Sequence, residues 1–577
     1  MTEPAPAAGP AARPPRHIRS TCRNESDAAR LDRFEIAALA ALAALSVAVL
    51  AGLLVRVWAR GGVLTGSDGF LVVDQLQYLN WLRQAGDHAT VENLYDLAPG
   101  PSDFLHPGVL VSGLLHRAGL GVVAAYMAWK PVAVVALFAG ALAWTRRLLD
   151  RTDDRRLALA LALFAASPVA ALVGWAGIGD AHRKFQFDFL GNEMWAGNWL
   201  WGYVFTALAV AMLPLGLLAY ERGRTGGRRA MLGWAAAAGL AAAWLQPWQG
   251  ATYVAVLVAA EAVCARRAVR GAAAEAGSSR RGLRGASAGA GSSRRALRGA
   301  VAAARDLALP LAATAAPLAY YLVLSHVDAS WELAGRANDT SAQPRWPWWV
   351  TVAGLAPLAV PAALAYRLPA RRFADVALRA WPLAALAVFH QPAGTFPFHA
   401  FQGLGLPLAV LAVLAVRARL GDRPLPLIPA LAAAAVMIVP GTLYEADQMR
   451  DAVRAGYQAH FMEPGERDAL RALDRDPEPG GVLAPAYLGT AVPAYTGRET
   501  WTGAGSWTPG FVERSQAAED LFARRLPVAE ARDLVRRSGA RFLFSDCHGR
   551  ADVTRVVAGV TDPPRRFGCA TVWRVRP

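Results

Sequence analysis

Asp74 and Tyr78 stand four residues apart in a polar stretch, GSDGFLVVDQLQYLNWLRQAGDHATVENLYD, residues 66–96. On a helix, that spacing puts both on one face. A carboxylate held beside a bilayer and partly desolvated suits a general base for a sugar hydroxyl. The plainer reading is a capping or solvated acid on an interfacial helix, with Phe70, Val73, Leu76 and Trp81 against the membrane. A second stretch, GIGDAHRKFQFDFLGNEMWAGNW (177–199), gathers His182, Arg183 and Lys184. Such cations can hold a phosphate through charge-assisted hydrogen bonds, or simply snorkel toward headgroups. Asp180, Asp188 and Glu193 in the same stretch are candidates for a divalent cation, Mg or Mn, with a solvated acidic loop as the alternative. Trp195, Trp199, Trp201 and Tyr203 read as an interfacial aromatic belt. His390 and His399 flank QPAGTFPF (391–398), where a histidine can bind or protonate a phosphate.

The elements that must position these residues are mostly membrane spans. The chain has 577 residues, 54% of them hydrophobic, with mean hydropathy +0.25, too apolar for an ordinary soluble protein of this length. Its apolar runs approach the ~20 residues that a helix needs to cross a bilayer. Eleven spans are expected, near 34–55, 121–145, 157–175, 199–220, 230–247, 249–266, 306–325, 348–366, 379–391, 401–417 and 424–443. An odd count puts the termini on opposite sides. Arginine clusters at 146–156, 222–229, 367–372 and 417–423 fall on the side of the arginine-rich N-terminus, which marks that side as cytoplasmic. The net charge of +16 is therefore a topology signal; it lacks the one-sided, aromatic-interleaved patch of a nucleic-acid binder.

Residues 1–33, rich in Pro, Ala and Arg, read as a disordered cytoplasmic segment before a retained anchor. Residues 34–443 form the membrane domain, with a large first outside loop at 57–120. Residues 267–305 read as a flexible, basic cytoplasmic loop in which GSSRRGLRGA (277–286) returns as GSSRRALRGA (291–300). It could touch anionic headgroups. From Tyr444 the apolar runs shorten, and helix patterns at Glu466–Leu473 and Val528–Ser538 alternate with strand-like pieces, as in an α/β domain (444–577). Cys547 and Cys569 lie within it, either bonded in an oxidising compartment or as two buried thiols.

D-Q-L-Q-Y at 74–78 resembles the D-E-x-x-Y element in the first outside loop of many type-C membrane glycosyltransferases, the superfamily of the protein mannosyltransferases and of the aminoarabinose transferases that modify lipid A. The organisation is similar as well: a cytoplasmic N-terminus, a long first loop, about eleven to thirteen spans and a terminal soluble domain. The resemblance implies an α-helical polytopic protein of a bacterial plasma membrane with an extracytoplasmic α/β domain. It implies inverting transfer of a sugar from a polyprenyl-phosphate donor to a cell-envelope glycan, lipid or protein. Asp74, with Tyr78, would deprotonate or orient the acceptor hydroxyl. The usual second acid is Gln75 here, and Asp68 is the candidate to supply it. The donor phosphate would fall to His182, Arg183, Lys184 and His399, and a cation to Asp180 and Glu193. Two other readings stay open: a lipid or glycan transporter or flippase, and a non-catalytic scaffold of envelope assembly. Lys130, the one lysine inside a span, speaks for the transporter.

Overall fold

A computed structural model describes residues 30–577 apart from 70, 99, 227, 280–284, 342–345, 392–395, 455–459 and 550–551. The expected disordered segment up to residue 29, with Cys22, lies outside the described residues, as do Phe70 and residues 392–395 of the 391–398 connection. The protein is a helical, polytopic membrane protein with a C-terminal region built on a small sheet.

Among the described residues, helices occupy all eleven expected spans. Seven are long and apolar enough to cross a bilayer alone: Arg33–Ala59, Val122–Leu148, Val204–Gly226, Pro247–Gly271, Val301–Val327, Trp348–Arg367 and Leu427–Asp451. A pair, Thr152–Phe164 and Pro168–Trp175, is long and apolar enough only when taken together, and is bent by 46°. The bend has a local cause: Ser167 caps the second half, accepting from the Ala170 amide at 3.1 Å, and Pro168 takes the first helical position. The other three, Arg229–Leu245, Phe373–Phe389 and Gly405–Leu420, have only 17, 17 and 16 residues. Each packs along a longer neighbour, so protein meets ends that lipid would otherwise expose.

The two ends of the bundle differ sharply in charge. At one end, Asp32 and Glu35 close a capping box on the first helix and also take Arg156 at 3.1 Å and Arg146 at 2.5 Å. Arg147–Glu221, Arg224–Glu261 and Arg417–Asp154 tie further helix ends together on this face. The other end of the first helix leads into Val63–Leu64, which pairs antiparallel with Phe461–Met462 at the entry to the C-terminal region. The 27 residues between amount to about 40 Å of helix, so the chain's start and its C-terminal domain stand on opposite faces.

The segment 57–120 is not an open loop. Helices Val72–Ala85 and Pro107–Arg117 pack on each other, and Leu76, Leu79, Trp81 and Leu82 are buried beneath the C-terminal domain rather than laid on a membrane surface. Helices also run through much of 267–305, as far as Ser279 and again from Gly285, where a flexible linker is expected; the repeat crosses the undescribed 280–284. The last membrane helix continues to Arg454, past the expected boundary at 443.

The C-terminal sheet runs in the order Val482–Leu483, Phe542–Ser545, Ala570–Arg574, Arg565–Phe567, with the first pair parallel and the others antiparallel. Alternation along the strands splits its side chains. Leu483, Leu543 and Trp573 face helices Phe511–Phe522 and Val528–Ser538, whereas Val482, Phe542, Phe544 and Val572 face helix Pro464–Arg475. A disulfide joins Cys547 to Cys569. The Gly- and aromatic-rich segment 480–511 and the helix that follows it clamp the first loop: Tyr95 donates to Thr490 O at 3.0 Å, Asn93 to Trp507 O at 2.8 Å, and Arg514 on that helix pairs with Asp96 at 2.9 Å.

Candidate active site

Asp74 lies in the first turn of helix Val72–Ala85, where the helix dipole favours a negative charge. The approach to that turn is fixed by a buried polar knot. Gln75 Oε1 accepts from the Ser67 hydroxyl, from the Asp68 amide at 3.0 Å and from the Gly69 amide at 2.7 Å; Gln75 Nε2 donates to Asp68 Oδ1 at 3.1 Å. Asp68 Oδ2 pairs with Lys130 at 2.5 Å, and Lys130 also donates to Ser46 O and Leu200 O. Asp68 is sealed from solvent and Lys130 nearly so. Gly202 (φ +88°) completes the knot: a Cβ there would stand 2.6 Å from Gln75 Cδ.

This knot explains Gln75 where the resembled element carries an acid. The side chain must accept three hydrogen bonds and donate one to a carboxylate, which an amide does and a second carboxylate cannot.

Asp74 itself points elsewhere. Its Oδ2 accepts from the Tyr203 hydroxyl at 2.8 Å. Tyr78, one turn along, stacks on Tyr126 with ring centroids 5.9 Å apart and meets Tyr203 and Phe205 edge-on at 6.3 and 6.1 Å. Asp74 is exposed to solvent although protein surrounds it, the combination that the wall of a concave chamber produces. Desolvation by those walls raises its carboxyl above the ordinary carboxylate range, while the Tyr203 hydrogen bond and the charge of His399 pull it back. Burial first, and the Asp74 charge second, raise Tyr78 and Tyr203, so both serve as neutral phenols.

His399, in the short turn Pro397–Phe401, meets Glu193 Oε1 through Nδ1 at 2.9 Å. Glu193 is buried, and that contact leaves His399 Nε2 as the nitrogen free to face a ligand. Nearby in sequence, Gln402 is buried with both side-chain polar atoms lacking a protein partner, as is Glu193 Oε2. Such atoms call for water or a polar ligand.

The basic trio is placed apart. His182 contacts Gln186 at 2.9 Å, Arg183 donates to Gln186 at 2.6 Å, and the Arg183 guanidinium lies 4.6 Å from the Trp349 ring centre. Arg183 and Glu193 are ten residues apart on helix Ala181–Met194, about 15 Å along its axis. Asp180 caps that helix, accepting from the Arg183 amide at 2.8 Å, whereas Glu193 sits at its far end, about 20 Å away. Asp180 and Glu193 therefore cannot ligate one ion, and among the described residues no group of three His, Cys, Asp or Glu side chains has the arrangement to hold a metal. Asp188, which desolvation raises to about 6, faces Glu445 instead. His390 ends helix Phe373–Phe389 and packs on Phe389.

Three features escape the sequence. Tyr203 is a hydrogen-bond donor to Asp74, not part of a belt, and Trp195, Trp199 and Trp201 beside it are buried, with Trp201 donating to Leu45 O at 2.7 Å. Lys130 is a buried partner of Asp68, not a free intramembrane charge. Glu193 orients His399, not a cation.

No family model matches the chain, and no curated protein matches it. Among solved structures, the chain is similar to an archaeal oligosaccharyltransferase from Archaeoglobus fulgidus in complex with an inhibitory peptide and a dolichol-phosphate, with 15% identity over 89% of this chain and 69% of that one, TM-score 0.48. It is similar also to an Archaeoglobus fulgidus oligosaccharyltransferase tethered to an acceptor peptide, with 14% identity over 91% and 70%, TM-score 0.48. The apo form gives 14% over 92% and 73%, TM-score 0.47.

Proposed function

We propose that this chain is a type-C membrane glycosyltransferase that moves a sugar from a polyprenyl-phosphate carrier to a hydroxyl of a cell-envelope acceptor, with inversion. One observation carries the reading: a solvent-reachable carboxylate, Asp74, held by Tyr203 beside Tyr78 and Tyr126 and within electrostatic reach of His399. The acceptor hydroxyl attacks the anomeric carbon as its proton passes to Asp74. The bond from that carbon to the phosphate oxygen breaks, and polyprenyl phosphate leaves on the opposite face with the bonding pair. His399 Nε2 is the group for the departing phosphate; His182, Arg183 and Lys184 sit further out, suited to the carrier's approach. Asp68 is a positioning residue, since its carboxylate reaches no solvent. Tyr78 shapes the wall. No step is assigned to a metal ion.

The arginine-laced face is assigned to the cytoplasm, and the Asp74 chamber with the C-terminal domain to the outside of a bacterial plasma membrane. The Cys547–Cys569 disulfide fits an oxidising compartment. A scaffold reading draws on one observation, the distance between Arg183–Lys184 and the Asp74 chamber.

The test is transfer of labelled sugar from polyprenyl-phosphate donors in reconstituted membranes. Asp74→Asn keeps the size and removes the base, so loss of transfer by a folded variant supports the assignment. Equal transfer by wild type and variant sinks it.

A further inference from the structure

On the face opposite Asp74, five arginines (Arg147, Arg224, Arg267, Arg371 and Arg372) line one cleft of about 310 Å³, with Glu221 and Cys264 in its wall. Tyr203 and Glu221 stand near the two ends of one helix, 18 residues apart, which puts the cleft about 27 Å from the Asp74 chamber.

A positive-inside bias scatters arginines over loops; it does not require that five converge on one concavity. Three of them are neutralised. Arg147 pairs with Glu221 through two bonds of 2.8 and 2.9 Å, Arg224 with Glu261 at 2.9 Å, and Arg372 with Asp375 at 2.8 Å. Among the described residues, Arg267 reaches only the Ala370 carbonyl and the Arg371 guanidinium has no partner. The surrounding acids do not cancel these two charges. Asp150 acts on Arg372 from outside the lining, and Asp306 belongs to a neighbouring cleft where Arg229, Arg298 and Arg305 outnumber it. The cleft thus presents two unmatched guanidinium groups beside three whose forks are pinned by carboxylates, a preorganised set that suits phosphate oxygens.

We propose that this cleft is a binding site for a phosphate group, separate from the transfer site. Lying at the end of the bundle, it can draw that group from an anionic phospholipid headgroup or from soluble phosphate. Cys264 supplies a reporter. Among the described residues it is the free cysteine, since Cys547 and Cys569 are bonded, and Cys22→Ser removes the remaining thiol.

The experiment follows alkylation of Cys264 by a soluble maleimide in full-length Cys22→Ser protein, reconstituted in phosphatidylcholine nanodiscs. Doping with phosphatidylglycerol, or adding inorganic phosphate at constant ionic strength, is expected to slow labelling about tenfold. Protection by phosphatidylglycerol alone identifies a headgroup site, and protection by inorganic phosphate identifies a soluble-anion site. Arg267→Gln with Arg371→Gln should abolish the protection, read as the ratio of each protein's rates with and without the anion, because Arg267 is near enough to Cys264 to alter its unprotected rate. Arg371→Lys should retain part of it. The proposal is overturned if neither anion slows labelling, or if both slow the double variant as much as the wild type.

Discussion

Replacing Lys130 with Met separates two roles that Asp68 can have. The Lys130 ammonium lies 2.5 Å from Asp68, and the two side chains are 6% and 0% exposed. Removing the cation strands a buried carboxylate, a change that typically costs about 3–5 kcal/mol. The Ser46 and Leu200 carbonyls lose a donor as well, about 1 kcal/mol each before any rearrangement. Lys130→Met should therefore lower the equilibrium unfolding free energy in mixed micelles by several kcal/mol and open the 65–69 turn to protease. Asp68→Asn in the same chain removes the stranded charge and keeps an oxygen for Gln75 Nε2, so the double variant should regain at least about 2 kcal/mol, the coupling of residues in one network. Transfer activity should return with stability, because Asp74 is then delivered to the chamber as before. A double variant that is stable yet inactive would show that Asp68 takes part in the chemistry. Single and double variants of equal stability would refute the knot altogether.

Tyr203→Phe deletes the hydrogen bond that favours ionised Asp74. Since the carboxyl is already raised and must be ionised to act, activity falls as pH drops through its folded value, and the variant should carry that acid limb to higher pH. A bond of about 1 kcal/mol, roughly halved for water around the exposed carboxylate, lowers kcat/KM on the limb about two- to threefold, and an unmoved limb counts against Asp74 as base. Glu193→Gln should loosen His399 and raise the KM for donor about tenfold with the fold intact; an unchanged donor titration removes His399 from the phosphate site. Loss of the Cys547–Cys569 bond, which closes a loop of 22 residues, should destabilise the C-terminal domain by about 3 kcal/mol in full-length protein, read by limited proteolysis. In intact cells, Cys547→Ser should make Cys569 reactive to an impermeant maleimide; labelling only after permeabilisation would reverse the assigned topology.

The spans were legible because lipid imposes a local rule: apolar runs of bilayer length, stopped by arginine. The three short helices obey the same pattern and survive their lack of length by packing inside the bundle. The spacing of Asp74 and Tyr78 also read as one turn of helix, and both lie on Val72–Ala85; whatever Asp74 does there rests on its neighbours. Those neighbours were not legible. Tyr203 lies 129 residues from Asp74, and His399 lies 206 from Glu193, so only the packed bundle brings them together. Closeness in sequence also misled: Asp180 and Glu193 share one stretch, yet a helix carries them to opposite ends. Tryptophans near a span end suit an interface and a core alike, each with a large apolar ring and one donor, and here the core took them.

Gln75 stands where the resembled element carries a second acid, and its surroundings give that difference a physical reason. A carboxylate at that position could still accept from Ser67 and from the Asp68 and Gly69 amides, but it would set a second negative charge against Asp68 Oδ1, where the amide donates, inside a knot with no access to solvent. The amide instead lets Asp68 commit its charge to Lys130, and the pair pins the turn from which Asp74 projects. Of Asp68, Asp74 and Glu193, the first is locked in the knot and the last is held by His399. Only Asp74 keeps an oxygen with no assigned partner and a path to solvent. One reachable carboxylate suffices for a single displacement in which the acceptor brings its own nucleophilic oxygen and the leaving group departs as a phosphate that needs no protonation. A two-acid mechanism, in which a second carboxyl must protonate the departing oxygen, finds that acid in neither Asp68 nor Glu193, both buried and paired.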